Sequence, residues 1–162
     1  MSIRDFVDRL PDEPARGDGG SFLKINPGDE VELVVCAPPM ARVKQWDDGP
    51  RETRLVPVYN LGSKTVQILD ASFTLWVGIR KQLEKAAKKG RVAVVEVERE
   101  GSGKTTTKWL VSGGRADEAQ EAAAEAAWTE AAEATRESMA HFGGVALGQD
   151  PGAAAAADDI PF

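Results

Sequence analysis

Apolar and polar residues alternate with a period of two through most of residues 21–113, and twice the period lengthens to that of a helix. The first helical stretch is short. Ile3, Phe6, Val7 and Leu10 stand at i, i+3, i+4 and i+7, one face of a helix over residues 2–10. Ser2 is placed to cap it and Pro11 to stop it. So short a helix does not stand alone. Its apolar face must pack on its own domain or on a neighbouring protomer in a homodimer. Residues 11–20, rich in Pro, Gly and Asp, predict a linker, so residues 1–20 form an N-terminal arm.

The domain is expected over 21–113. Phe22–Ile25 reads as a short strand and Asn26-Pro27-Gly28-Asp29 as a turn. Val31–Ala37 is rich in β-formers and ends at Pro38-Pro39. Ala41–Trp46 alternates, with Arg42, Lys44 and Trp46 on one face. Asp47-Asp48-Gly49-Pro50 signals a hairpin, with strand character returning over Thr53–Tyr59 and Thr65–Leu69. Residues 71–89 then take helical period, with Leu75, Trp76, Ile79, Leu83 and Ala86 as the apolar stripe. Asp70 or Ser72 can cap that helix and Gly90 can end it. Val92–Arg99 and Thr105–Ser112 form a second hairpin around Gly101-Ser102-Gly103. This element order predicts a mainly β fold, an OB-fold: a five-stranded Greek-key barrel with one helix between strands 3 and 4.

Beyond it, residues 114–144 are dominated by Ala and Glu, with Gly143-Gly144 as a stop. Alanine favours helix. The large apolar residues there are few (Trp128, Met139, Phe142), so a solvated helical arm is expected. Residues 145–162 predict a flexible acidic tail that lets the C-terminus reach outward.

Charge divides at the same boundary. Residues 1–113 hold 18 Lys/Arg against 16 Asp/Glu, a net of +2. Residues 114–162 hold 2 against 10, a net of −8. A mildly basic body with an acidic tail suits a nucleic-acid binder that also recruits proteins. Cys36 is the only cysteine and His141 the only histidine, so neither an internal disulfide nor a Cys/His zinc site is expected. A lone cysteine also suits a reducing, cytoplasmic setting. No run of 18 apolar residues marks a helical membrane span, and the acidic N-terminus is not patterned as a signal peptide. Spacing shows no paired carboxylates and no nucleophile–base set, so no catalytic residue, cofactor or metal is assigned and no enzyme is expected.

Single-strand binding requires cations to track phosphates and aromatic faces on which bases stack. Arg42, Lys44 and Trp46 supply both on one strand face, and Arg51 and Arg54 follow across the hairpin. Lys104 and Lys108 lie in the second hairpin beside Trp109. Trp109 shares a face with Thr105, Thr107 and Val111, so it serves either the DNA or the core. Tyr59, sharing a face with Leu55 and Pro57, faces the same choice, whereas Trp76 on the helix stripe is expected in the core. Lys85, Lys88 and Lys89 complement the helix dipole in the last turn. One further motif is a decoy. Gly101-Ser102-Gly103-Lys104-Thr105 looks like the end of a phosphate-binding loop, but Glu98 stands where the motif needs glycine and a strand is expected next, not a helix.

Two stretches carry family likenesses. The C-terminal residues Asp158-Asp159-Ile160-Pro161-Phe162 resemble the acidic tip of bacterial single-stranded DNA-binding proteins. That resemblance implies docking of replication, recombination or repair enzymes through the tip. In chemical terms, a rigid Pro before a terminal Phe suits an apolar pocket with a basic rim. The run from SFLKINPGDEV through VQILDASFTLWVGIRKQLEKAAKKG to EREGSGKTTTKWLVS resembles the OB domain of phage single-stranded DNA-binding proteins, with Thr107, Trp109 and Val111 in the family's last strand. This likeness covers about ninety residues and rests on pattern. It implies single-strand binding independent of sequence and without catalysis. Two departures stand out: the zinc ligands of some phage members are missing, and the tail ends as the bacterial one does. The competing expectation is an OB-fold adaptor that links two protein partners and ignores DNA.

Overall fold

Leu55, Val56, Pro57, Val58 and Tyr59 are all buried, so this run is covered on both faces and makes the centre of the fold. It belongs to a mainly β architecture seen in a computed structural model that describes residues 22–47, 49–100 and 108–146, the side chain of Trp46 excepted. The helix expected over 2–10, the Gly101-Ser102-Gly103 turn with Lys104, and the tip Asp158–Phe162 lie outside the described residues.

In chain order the elements are β1 (Glu30–Val35), β2 (Met40–Trp46), β3 (Gly49–Asn60), β4 (Thr65–Ser72), α1 (Phe73–Ala87), β5 (Ala93–Glu100), β6 (Lys108–Arg115), α2 (Glu118–His141) and β7 (Val145–Ala146). The seven strands form one antiparallel sheet in the order β6-β5-β1-β3-β2-β7, with β4 on the free side of β3. The sheet is open. Among the described residues β4 pairs with β3 and, through one isolated parallel bridge, Ile68 with Phe22; β6 pairs only with β5, and α1 packs against both β4 and β6. A barrel closed on itself, as the sequence predicted, is therefore not what these residues form.

β1 and β2 act as one interrupted strand along β3. Val35 pairs with Val58 and Met40 with Leu55, so five steps on one side face three on the other. Pro38-Pro39 fills the interruption and explains a proline inside a central strand. The Pro57 carbonyl accepts from Cys36 N–H at 2.9 Å, so its missing N–H points to the same side, at the break in the ladder.

α1 starts where expected. Ser72 Oγ accepts from Leu75 N–H at 3.3 Å, and Leu75, Trp76 and Ile79 are buried. They join Leu33, Val56, Val58, Val95 and Val97 in the main core on one side of the sheet. On the other side lies α2, capped by a reciprocal pair between Asp117 and Gln120. The helix expected within 114–144 forms, but it is seated on the sheet rather than solvated. Ala124, Thr135 and Met139 are buried beneath it, because small side chains let its backbone approach closely. Gly144 N–H donates to Met139 carbonyl at 2.8 Å, and Val145 and Ala146 then pair with Ala41 and Met40. The first two residues assigned to a flexible tail are thus pinned to β2.

Tyr59 and Trp76 are core residues. Burial also drives the Cys36 thiol from an ordinary 9.0 up to about 11, partly offset by a hydrogen bond from the Tyr59 backbone. The folded chain then holds this proton more tightly than the unfolded one. The resulting stabilisation is complete below about pH 9 and is lost as pH rises through about 11. Alkylation of the native chain by iodoacetamide is expected to show a rate midpoint near 11, against near 9 in urea. A native midpoint near 9 would contradict the buried setting.

Candidate nucleic-acid interface

The β2–β3–β4 register sorts the cations between two faces. Lys44 lies opposite Arg51, Arg42 opposite Thr53, Thr53 opposite Ser72, and Leu55 opposite Asp70. Directly opposed residues share a face. Arg42, Lys44, Arg51, Thr53 and Asp70 therefore lie together. Arg42 Nη1 and Lys44 Nζ both donate to Asp70 Oδ2, at 3.2 and 3.0 Å. Of the two cap candidates, Ser72 does the capping, and Asp70 anchors the two cations.

Among the described residues this face brings together Arg42, Lys44 and Arg51, with the Asp70 carboxylate beside the first two. Lys44 and Arg51 are like charges directly across a hairpin, and each makes a further interaction of its own. Two oxygens here are buried without a hydrogen-bond partner, Thr53 Oγ1 and Asp70 Oδ1. Buried polar atoms left unmatched are costly, and they collect where a ligand or solvent completes the set. The Arg42 and Lys44 side chains keep 22% and 35% of their surface exposed, so their charge is accessible while Asp70 fixes their direction.

Arg54 does not belong to this set. It lies opposite Ala41 on the other face, is 5% exposed, and pairs with Glu52 at 3.2 Å. Its removal from the interface is a correction. Residues 51 and 54 are an odd number apart, and period-two alternation sends them to opposite faces.

Trp46 closes the hairpin opposite Gly49; its side chain lies outside the described residues. Lys108 and Trp109 sit on β6, at the other end of the sheet order from β2. Lys108 is exposed opposite Glu100. Trp109 packs half-buried against the main core together with Val111, and the Arg99 guanidinium lies 5.7 Å from its ring centroid. Trp109 thus packs partly against the core, on a strand at the far end of the sheet order from Arg42.

One feature was invisible in the sequence. Pro38, Pro39, Met40, Trp128 and Met139 line a largely apolar cleft of about 350 Å³ with Arg136 at its rim. The Arg136 guanidinium stands 5.1 Å from the Trp128 ring centroid. Its walls come from segments about ninety residues apart, which no local pattern joins.

No protein-family model, curated protein or solved structure matches this chain. No helix among the described residues is long and apolar enough to cross a membrane.

Proposed function

We propose that this chain is a non-enzymatic protein of the cytoplasm, of bacterial or phage origin, that binds single-stranded DNA without sequence preference. It coats and protects the strand during replication, recombination or repair, and its tip, Asp158–Phe162, recruits the enzymes that act there. The carrying observation is the gathering of Arg42, Lys44 and Arg51 on one face of the β2–β3 hairpin. The phosphate backbone runs along those cations, and Trp46 at the hairpin end offers a ring for base stacking.

The strand order supports an open relative of the OB barrel. Counting β1 and β2 as one interrupted strand reduces β1–β4 to a three-strand meander. A helix and the β5–β6 hairpin follow, which is the OB element order. Lys108, exposed on β6, is a further cation of the proposed DNA path, and Lys104 stays with it as an expectation from the sequence. The resemblances of the body and the tip point the same way.

The apolar cleft under Trp128 favours a second reading, an adaptor whose body holds one protein and whose tip holds another. Titration with oligothymidylate separates the two. A DNA binder shows saturable binding weakened by salt; an adaptor is indifferent to the oligonucleotide.

A further inference from the structure

The cations of the β2–β3 face share a carboxylate, but a second group of cations does not. α1 lies on β6 through small residues. A Cβ on Gly78 would stand 3.1 Å from Val111, and one on Gly113 would stand 2.5 Å from Gln82 Oε1. Glycine at 113 thus lets the helix press against the strand. Past Gln82 the two elements part, leaving a cleft of about 150 Å³.

Four cations line it: Lys85, Lys89, Arg91 and Arg115. They arrive by different routes. Lys85 comes from the last turn of α1 and Lys89 from the turn that follows it. Gly90, at φ +66°, reverses the chain, and Arg91 N–H donates back to Ala86 carbonyl at 2.9 Å. Arg115 comes from β6, and its pairing with Ala93 sets it beside the strand that Arg91 leads into. No acidic side chain lines the cleft, and none of the four side chains has an ion pair among the described residues.

The helix dipole accounts for lysines in the last turn. It does not account for Arg91 and Arg115, which lie off the helix and converge on the same space. Four cations that have no ion pair among the described residues, gathered around a small cleft, make a site for a compact, highly charged oxyanion.

We propose that this cleft is a phosphoryl-binding site, separate from the β2–β3 face, that takes a phosphate group of the single-stranded DNA backbone. The choice of backbone as the source rests on the function proposed above; the oxyanion chemistry does not.

The test uses the full chain. Sodium phosphate is titrated into the labelled protein and amide shifts are followed by NMR, with sodium chloride at equal ionic strength as control. Saturable shifts centred on residues 82–91 and 113–115 are expected, absent in the Arg91→Glu/Arg115→Glu variant. Their absence in the native chain overturns the site, as does a response equal to that of chloride. Oligothymidylate binding then identifies the source. The same variant is expected to bind at least about tenfold more weakly, with a log–log salt slope flatter by about 1.4 for two lost phosphate contacts. Phosphate shifts in a native chain that binds no oligothymidylate keep the site, reject the DNA reading, and assign the cleft to a free phosphate or a phosphorylated small ligand. Phosphate shifts with native DNA binding that the variant leaves unchanged overturn the backbone assignment. If instead the cleft resonances move on Asp158→Asn/Asp159→Asn substitution and not with phosphate, the tail is the occupant and the phosphoryl site is overturned. Matching circular dichroism and melting temperature show that the variant is folded.

Discussion

Reversing both charges with Arg42→Glu/Lys44→Glu is expected to weaken oligothymidylate binding by at least about 100-fold at low salt. Each charge-assisted contact contributes about 1.5–3 kcal/mol, and a tenfold change corresponds to about 1.4 kcal/mol. Two lost contacts therefore reach that range, and the reversed charges add repulsion. The salt slope should flatten by about 1.4. Asp70→Asn separates this account from simple unfolding. It removes the carboxylate that now accepts from both Arg42 and Lys44 at 3.2 and 3.0 Å, so it should leave binding unchanged or tighten it. A double reversal that binds like the native chain would remove this face from the DNA path.

The second large effect concerns stability. Leu55→Ala is expected to cost about 3 kcal/mol and to lower the melting temperature by roughly 10 °C. Leu55 is 0% exposed and packs with Ile68, Met139, Met40 and Phe22. It lies opposite Met40 on one side and Asp70 on the other, so a cavity there loosens both the seat of α2 and the base of the cation face. Val43→Ala is the contrast. Val43 is 39% exposed, and its truncation should change stability by no more than about 0.5 kcal/mol. A Leu55→Ala loss below about 1 kcal/mol would show that α2 is not anchored there.

Much of the sheet was legible because period-two alternation and turn chemistry are local. The hairpin at Asp47–Pro50, the helix after Ser72 and the β5–β6 pair all follow from neighbouring residues. Sheet closure was not legible, since it depends on how α1 fits between β4 and β6, a property of shape. The seat of α2 was hidden for a related reason. Its contacts use Ala124 and Thr135, small residues that carry little apolar signal yet permit close approach. Arg54 could have been sorted by parity with Arg51 alone. Trp109 could not, because its face-mates Thr107 and Val111 suit either a core or a solvent side. The second group of cations was the least accessible. Arg91 and Arg115 are 24 positions apart and meet only through the Ala93–Arg115 pairing.

The most direct measurement is tryptophan fluorescence of the full chain during titration with unlabelled oligothymidylate, first at low salt and then at high. Saturable quenching that reverses with salt is expected, with a log–log slope of at least about −2 for three phosphate contacts. An unchanged signal together with an unshifted band on a native gel would contradict single-strand binding and leave the adaptor reading in its place.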